Sequence, residues 1–416
     1  MQIAKYFKTS SNDENYSKIY IPFLWHGFFL AITMSMIDMN TVLPALISEL
    51  TDNTIVFGAL YSILLGAPLV FNLGFSAFLQ KFSLKKKFLL IGMYFRSFSF
   101  AGMAFITLLF AKNHPITTLV GFYIFIFIFS ISGGFASIAY SDIVGKLLPP
   151  EKRGILYSLR QFFSGIAALL GGVFVAWIFK NGTLPFPINY ALGFFIGSIG
   201  LIIGSLGFFR LKETPTQVAA IEHSSKEGFA KNIGKILKED RRFLKFIIIE
   251  NISSFSLMIL PFYMVFIKNS FSNYMNYIGI FIIAQVIGSI FSNFIWAYIS
   301  SKFGSSSVIK LCIFMGATIP IIAIVIQPLG IIWYIIVFLL LGFITSGRNI
   351  GFESYLLDIA PDDKRTMYLG IRGTLNILVI LLPLTGGFII NLLGYYITFG
   401  LVSLVMFLGF FSMKTK

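Results

Sequence analysis

The sequence contains twelve stretches of about 20 or more mainly apolar residues, each long enough to cross a lipid bilayer as a helix. Such a chain cannot cover itself with the charged surface of a soluble protein, because 57% of its residues are hydrophobic and only 12% carry a charge. The pattern therefore predicts an all-α polytopic membrane protein. The predicted spans, helices 1 to 12 in chain order, are 19–47, 54–79, 88–111, 116–139, 154–179, 188–209, 243–267, 274–299, 308–327, 330–352, 367–390 and 392–412.

One short phrase occurs twice in this chain. Residues 149–160 read PPEKRGILYSLR and residues 361–372 read PDDKRTMYLGIR, with two arginines at the same spacing, 212 residues apart. A second, weaker echo links LQKFSLKKK after helix 2 to SSKFGSSSVIK after helix 8. An offset close to half of the 416 residues indicates that the two halves are related.

The repeat predicts two pseudo-symmetric six-helix bundles, residues 1–210 and 243–416. Between them, residues 211–242 form the longest polar stretch of the chain. Three apolar residues near its end, Ile233, Ile236 and Leu237, have helical spacing. We therefore predict a cytoplasmic central loop with an amphipathic segment on the inner membrane surface.

The basic residues indicate the orientation of the chain. The net charge is +15, and the connectors on one side hold only Lys112, Lys180 and Lys268 of the 32 lysines and arginines. The positive-inside rule then places both termini in the cytoplasm, with the protein in the cell membrane and its basic loops near anionic lipid heads. No motif that reads nucleic acid is present, so nucleic acid is not a predicted partner.

The sequence offers little for a metal or cofactor site. Its single cysteine, Cys312, excludes an intrachain disulfide, and its three histidines lack the spacing of metal ligands. We predict neither a metal nor a cofactor.

Six plus six helices, a long inner loop and basic phrases after helices 2, 4, 8 and 10 resemble the major facilitator superfamily. The resemblance implies two bundles that rock around a central site and expose it to each side in turn. That family usually carries an aspartate and a glycine in the loop after helix 2, where this chain has Gln80 and Ser83. Sugar-porter and drug-exporter motifs are present only in part, so no subfamily is predicted.

Ionisable residues inside the spans are the candidates for coupling, because each costs ~3 kcal/mol to insert. Asp38 in helix 1 either couples a proton or binds a cationic group, or else it bonds to neighbouring helices or lies near the outer mouth. Glu250 in helix 7 either faces the cavity or belongs to an ion pair at the inner gate. Arg96 in helix 3 either pairs with one of these acids or contacts an anionic substrate.

Polar side chains in the spans are the candidates for the cavity. His26, Thr33 and Asn40 are spaced by seven residues and share one face of helix 1. The other candidates, which line the cavity or join helices, are Asn72, Gln161, Asn251, Ser254, Gln285 and Asn376.

Charged residues at the inner helix ends are predicted to form gate and corner salt bridges. The arginines among them are also expected to satisfy the last carbonyl groups of helices 4 and 10. The predicted gate residues are Lys81, Asp142, Glu151, Arg153, Arg160, Lys302, Arg348, Glu353, Asp358, Arg365 and Arg372.

Together these features predict secondary active transport of a small solute by a monomer, coupled to a proton or a sodium ion. The alternatives are a lipid flippase and a transporter-like receptor, because aromatic richness is compatible with a lipid ligand. An enzyme is not predicted: His114, in an outer loop, has no acidic partner near it in sequence.

Overall fold

The computed structural model describes residues 13–180, 184–215, 234, 236–361, 368, 371–373 and 375–412. Within these ranges the chain is helical apart from short turns and connecting segments, and no described residue lies in a β-strand. The described α-helices are α1 (Asp13–Met36), α2 (Val42–Leu50), α3 (Thr54–Leu79), α4 (Lys86–Phe110), α5 (Pro115–Leu147), α6 (Pro150–Phe179), α7 (Ile188–Leu206), α8 (Arg241–Ser253), α9 (Phe255–Ile259), α10 (Phe262–Ser270), α11 (Ile278–Phe303), α12 (Ser305–Val325), α13 (Tyr334–Ile359) and α14 (Leu382–Ser412).

Eleven segments of the described chain are long and apolar enough to cross a membrane. The number is one below the twelve predicted spans because Val379–Ser412 is one continuous apolar stretch. Gly394 divides that stretch with a φ of 77°, a conformation that glycine adopts without strain. The stretch thus holds the second half of helix 11 as well as helix 12. The all-α polytopic fold is confirmed.

Helices 1 and 7, which the repeat relates, are both interrupted, although the sequence predicted each as one continuous span. Helix 1 consists of α1 and α2, with a break at residues 37–41. Helix 7 consists of α8, α9 and α10, with breaks at Ser254 and at Leu260-Pro261. Proline explains the second break in helix 7, since it offers no N–H to the preceding turn and clashes with it.

The described chain forms two compact units. In the first, helix 3 packs against helices 4 and 6, and helix 6 packs against helix 1. Hydroxyl groups join these helices: Thr33 Oγ1 donates to the carbonyl of Gly197 and Ser97 Oγ donates to that of Ser198, both at 3.0 Å. The first unit comprises, as far as they are described, residues 1–37, 67–178 and 184–219.

The second unit repeats this packing. Helix 9 packs against helices 10 and 12, and helix 7 packs against helix 12. The unit also contains the second part of helix 1 and the first part of helix 2, and α2 packs against α10. The second unit comprises, as far as they are described, residues 38–66, 179–183 and 220–416.

Glycines let the backbones of helices 8 and 10 meet in the second unit. A Cβ atom at Gly342 would lie 2.0 Å from the carbonyl oxygen of Gln285, and one at Gly288 would lie 2.1 Å from that of Leu339. Such distances exclude a side chain unless the two backbones move apart. Helix 8 is therefore held in its place by small residues on both sides of the crossing.

We expect Gly342→Ala to lower the free energy of unfolding by about 1–3 kcal/mol, the usual cost of overpacking a tight interior. Gly400→Ala in helix 12 is the matched control, because a Cβ there meets no heavy atom within 4 Å. Thermal unfolding of both variants in detergent measures the difference. An unchanged Tm for Gly342→Ala would contradict the close crossing.

Candidate functional site

Glu250 holds its carboxylate inside the second unit, with 4% of the residue exposed. Arg372 of helix 11 donates from Nε to both carboxylate oxygens, at 2.9 and 3.0 Å, and from Nη2 to Oε1 at 2.7 Å. A two-pronged contact of this kind is the strong form of an arginine–carboxylate pair. The structure thus joins a residue predicted for coupling to one predicted for the gate.

Arg372 also reaches a second carboxylate. Its Nη1 lies 2.7 Å from Oε1 of Glu353 on helix 10, whose side chain is 58% exposed. Arg372 therefore bridges one buried and one exposed acid. Arg348 on the same helix as Glu353 adds a second positive charge that interacts electrostatically with Glu250.

Arg348 contacts the first break of helix 7. Its guanidinium donates to the hydroxyl groups of Ser253 and Ser254, the latter at 3.1 Å. Ser254 in turn donates to the backbone carbonyl of Glu250 at 2.8 Å. Among the described residues, Arg348 has hydroxyl partners and no carboxylate within ion-pair distance.

The predicted cavity amides of this region are only loosely linked. Asn251 Nδ2 donates to the carbonyl of Ile247 on its own helix at 2.9 Å, and lies 3.5 Å from Oδ1 of Asn376. The bond between helices 7 and 11 is therefore the longer and weaker of the two.

We call Glu250, Arg372, Glu353, Arg348, Ser253 and Ser254 the helix 7 cluster. It combines two carboxylates, two guanidinium groups and two hydroxyls, so it can exchange partners within itself. A proton can neutralise Glu250, and an anionic group can replace a carboxylate on Arg372 or a hydroxyl on Arg348. In the described ranges no three His, Cys, Asp or Glu side chains are arranged to hold a metal ion.

Asp38 lies in the break of helix 1. Its Oδ1 accepts from the Thr41 hydroxyl at 2.8 Å and from the backbone N–H of Asn40 at 3.0 Å. Both donors precede α2, so the carboxylate stabilises the turn within the break, as the side chain of an Asx-turn does. Asn40 Nδ2 donates to Oε1 of Gln285 at 2.8 Å, so the structure brings two of the predicted cavity amides together.

The other two members of the predicted polar stripe lie in the first unit. Thr33 is fully buried, and its hydroxyl bonds to Gly197 of helix 6. His26 is 5% exposed, and its ring lies 5.3 Å from that of Phe208. Neither ring nitrogen of His26 has a hydrogen-bond partner among the described residues.

The remaining cavity candidates of the first unit differ in exposure. The guanidinium of Arg96 stacks 4.4 Å from the ring centroid of Phe129. The Nε of Arg96 and Oδ1 of Asn72 are buried atoms without a partner in the described chain. Gln161 is exposed on helix 5.

A corner of the first unit is built by an ion-pair cluster. Asp142 of helix 4 lies 2.5 Å from Nζ of Lys85 and 2.6 Å from that of Lys146, and Lys146 lies 3.0 Å from Glu213. Glu213 also accepts the backbone N–H groups of Lys85 and Lys86 at 2.7–2.9 Å, at the start of helix 3, where the helix dipole favours negative charge. Sequence reasoning found Asp142 and missed Glu213, although an acid directly after helix 6 in a basic loop was a usable signal.

Two predicted gate arginines have defined contacts in the first unit. Arg153 donates to carbonyl groups at the end of helix 4, at 2.9 Å to both Leu148 and Gly145. Arg160 stacks its guanidinium 5.0 Å from the ring centroid of Tyr140.

The other gate residues lie apart from the helix 7 cluster. Asp358 accepts a hydrogen bond from the Ser305 hydroxyl. Lys81 is exposed, and so is Lys302, which donates to the Tyr298 hydroxyl at 3.1 Å. Two predicted gate groups, Arg365 and the side chain of Glu151, lie outside the described residues, as does Ile233 of the predicted amphipathic segment.

The ends of helices 1 and 7 form an ion pair that the sequence did not predict. Nζ of Lys268 lies 3.1 Å from Oε1 of Glu49 and donates to the backbone carbonyl of Ser48. The Tyr274 hydroxyl donates to the same carboxylate oxygen of Glu49. Sequence reasoning counted Lys268 only as a connector charge, because nothing in the sequence links it to Glu49.

Solved structures of transporters share this fold. The nucleoside transporter NupG superposes with a TM-score of 0.69 at 16% identity, covering 95% of this chain and 97% of that one. A POT family transporter in complex with 5-aminolevulinic acid gives 0.67 at 12% identity, covering 95% and 94%. A D-xylose–proton symporter gives 0.64 at 14% identity, covering 93% and 97%. Identities this low establish the shared fold alone.

The sequence itself gives the family. No curated protein matches it. The chain matches the sequence model of the Major Facilitator Superfamily over residues 27–347 and 246–414, which together span nearly the whole chain. The chain belongs to the major facilitator superfamily.

Proposed function

We propose that this chain is a secondary active transporter that moves a small solute across the cell membrane by alternating access, with Glu250 as its proton-coupling residue. The observation that carries the proposal is the buried carboxylate of Glu250, bound by Arg372 through three contacts of 2.7–3.0 Å. The protein acts as a monomer, with anionic lipids at its basic inner loops.

The cost of a buried charge supports a functional role for this pair. An ionised side chain at membrane depth costs ~2.5–3.5 kcal/mol on insertion scales. Apolar residues of similar volume often replace a buried ion pair without loss of stability. Packing alone therefore does not require a carboxylate at position 250. Exchange of a proton does require one.

The geometry supplies a way to couple proton and solute. A proton on Glu250 removes the charge that holds Arg372 to helix 7. Arg372 then keeps the exposed Glu353 as a partner and can bind another group. Proton binding thus changes a contact between helices 7 and 11, and a ligand drives a conformational cycle only through such a difference between states.

The fold neighbours suggest the solutes to test first. One neighbour is named a nucleoside transporter, one a D-xylose–proton symporter and one a peptide transporter. We therefore choose uridine, D-xylose and alanyl-alanine as probes, and add succinate as an anion.

We propose that both termini are cytoplasmic. In a Cys312→Ala background, Lys112→Cys should react with a membrane-impermeant maleimide in intact cells, and Lys238→Cys should react only after permeabilisation. Both positions are exposed, so access from one side decides the result. The opposite labelling pattern would show that both termini lie outside the cell.

Glu250→Gln should abolish coupling because it removes the titratable group and keeps the size of the side chain. In vesicles that contain wild-type protein and a trapped pH dye, one solute of the panel should drive proton uptake. In Glu250→Gln vesicles that uptake should be lost, while exchange of labelled for unlabelled solute persists.

Glu353→Gln is the matched control, because it removes the exposed partner of the same arginine and should retain proton uptake. Wild-type proton uptake in Glu250→Gln vesicles would refute the role of Glu250. If the vesicles move no solute of the panel but scramble phospholipid, the protein is a lipid flippase and not a solute transporter.

A further inference from the structure

We infer that the first unit contains a binding site for an anionic oxygen group of the solute, a carboxylate or a phosphate, formed by Arg96 of helix 3 and Asn72 of helix 2. This inference rests on the proposed function and adds the chemical class of the solute. Four observations on the described residues carry it: the depth of Arg96, its weak partners, the unpartnered amide of Asn72 and the charge of the surroundings.

Arg96 lies deep in the membrane. It is ten residues after Lys86, the first residue of α4, which places it about 15 Å along the helix at a rise of 1.5 Å per residue. The hydrocarbon core is ~30 Å thick, so Arg96 lies near its middle. A charged side chain at that depth needs a partner inside the protein or a water-filled cavity.

The partners of Arg96 do not neutralise it. Its guanidinium stacks on Phe129, and Nη2 lies 3.7 Å from the sulfur of Met34, a weak acceptor. Its Nε is buried without a partner in the described chain. The first unit's described ion pairs belong to the Lys85, Lys146, Asp142 and Glu213 corner, and none involves Arg96.

Asn72 presents a second unused polar group, against the same helix as Arg96. Consecutive glycines of helix 4 face the two side chains: a Cβ at Gly133 would lie 3.5 Å from Nε of Arg96, and one at Gly134 would lie 3.1 Å from Oδ1 of Asn72. The oxygen and nitrogen of an amide exchange places by a flip, so Asn72 can offer either an acceptor or two donors. An arginine without a carboxylate partner and an amide whose oxygen is unpaired offer donors for a carboxylate or phosphate.

The surroundings of the site are positive, because Arg160 and Arg96 both interact electrostatically with His26. Arg160 of helix 5 lies against helix 1, where a Cβ at Gly27 would lie 3.1 Å from its Nε. Like Arg96, it stacks on an aromatic ring, that of Tyr140, and has no carboxylate within ion-pair distance in the described part of the first unit. Stacking stabilises a guanidinium but leaves its in-plane donors for a ligand. Two such arginines raise the local concentration of anions.

The helix 7 cluster is a useful contrast. There Arg372 has two carboxylates within 2.7 Å of its guanidinium nitrogens, so the protein supplies its own anions. In the described first unit the arginines at membrane depth lack such partners. An anionic group of a ligand can pair with Arg96 directly. At the helix 7 cluster it would first have to displace a carboxylate from Arg372.

The test is equilibrium binding to the purified full-length protein in a neutral detergent, so it does not depend on transport. Thermal unfolding is measured against pairs that differ in one anionic group: uridine and uridine monophosphate, glucose and glucuronate, and succinamide and succinate. Inorganic phosphate and phosphatidylglycerol are tested alone. We expect at least one anionic member to raise the Tm while its neutral counterpart does not.

Arg96→Gln should weaken binding of that anion by about tenfold or more, because a hydrogen bond to a charged group is lost. Arg96→Lys should keep the preference for the anion with weaker binding, since lysine retains the charge but not the planar fork. Lys112→Gln, which removes one exposed charge from an outer connector, is the matched control and should bind as wild type.

The unfolding of the ligand-free variants separates this site from a structural role. Without a counter-ion, Arg96→Gln should unfold at the wild-type Tm or above it, because the variant no longer buries a charge. A large fall in Tm that Arg96→Lys rescues without any anion preference would assign Arg96 to structure and overturn the proposal.

Three other results would overturn it. These are equal stabilisation by neutral and anionic members, no stabilisation by any anion, and a response to phosphatidylglycerol alone, which would assign the arginine to a lipid headgroup. If uridine or D-xylose drives proton uptake in vesicles while no anion binds, only the anion site fails. If an anion binds but no solute of the panel moves, the anion site stands and the proposed transport fails.

Discussion

The buried carboxylate of Glu250 is the constraint on which the proposed function depends. A charge in the interior of a membrane protein has to be matched there, and Arg372 matches it through three short contacts. Removal of Arg372 alone would leave an unpaired buried charge, a change that costs about 3–5 kcal/mol in other proteins. Neutralisation of Glu250 by a proton avoids that cost, and this is what makes the pair suitable as a switch.

The two interrupted helices use their acids in different ways. In helix 1, Asp38 bonds to Thr41 and to the backbone of Asn40, so its carboxylate compensates for donors freed by the break. In helix 7 the bonds at the first break involve the backbone of Glu250 instead, whose carbonyl accepts from both the hydroxyl and the N–H of Ser254. The side chain of Glu250 is therefore left to pair with Arg372. The repeat relates these two helices, but the acids near their breaks have different partners.

The sequence predicted the fold closely because apolar length and the placement of basic residues are local properties. It predicted that Glu250 was either a cavity residue or part of an ion pair, and it named Arg372 without linking the two. That link joins residues 122 positions apart, and no spacing rule covers such a distance. The same limit explains why Glu213 and the Glu49–Lys268 pair were missed, and why Thr33, on a predicted polar face, instead bonds to helix 6.

The central claim is that solute binding and protonation of Glu250 are linked. Titration calorimetry tests it directly, with the solute that drives proton uptake in vesicles, in two buffers at one pH whose heats of ionisation differ. We predict a binding heat that depends on the buffer for the wild type, because protons move when the solute binds, and a heat that does not depend on the buffer for Glu250→Gln. Equal heats in both buffers for the wild type, or the same dependence in both proteins, would contradict the account.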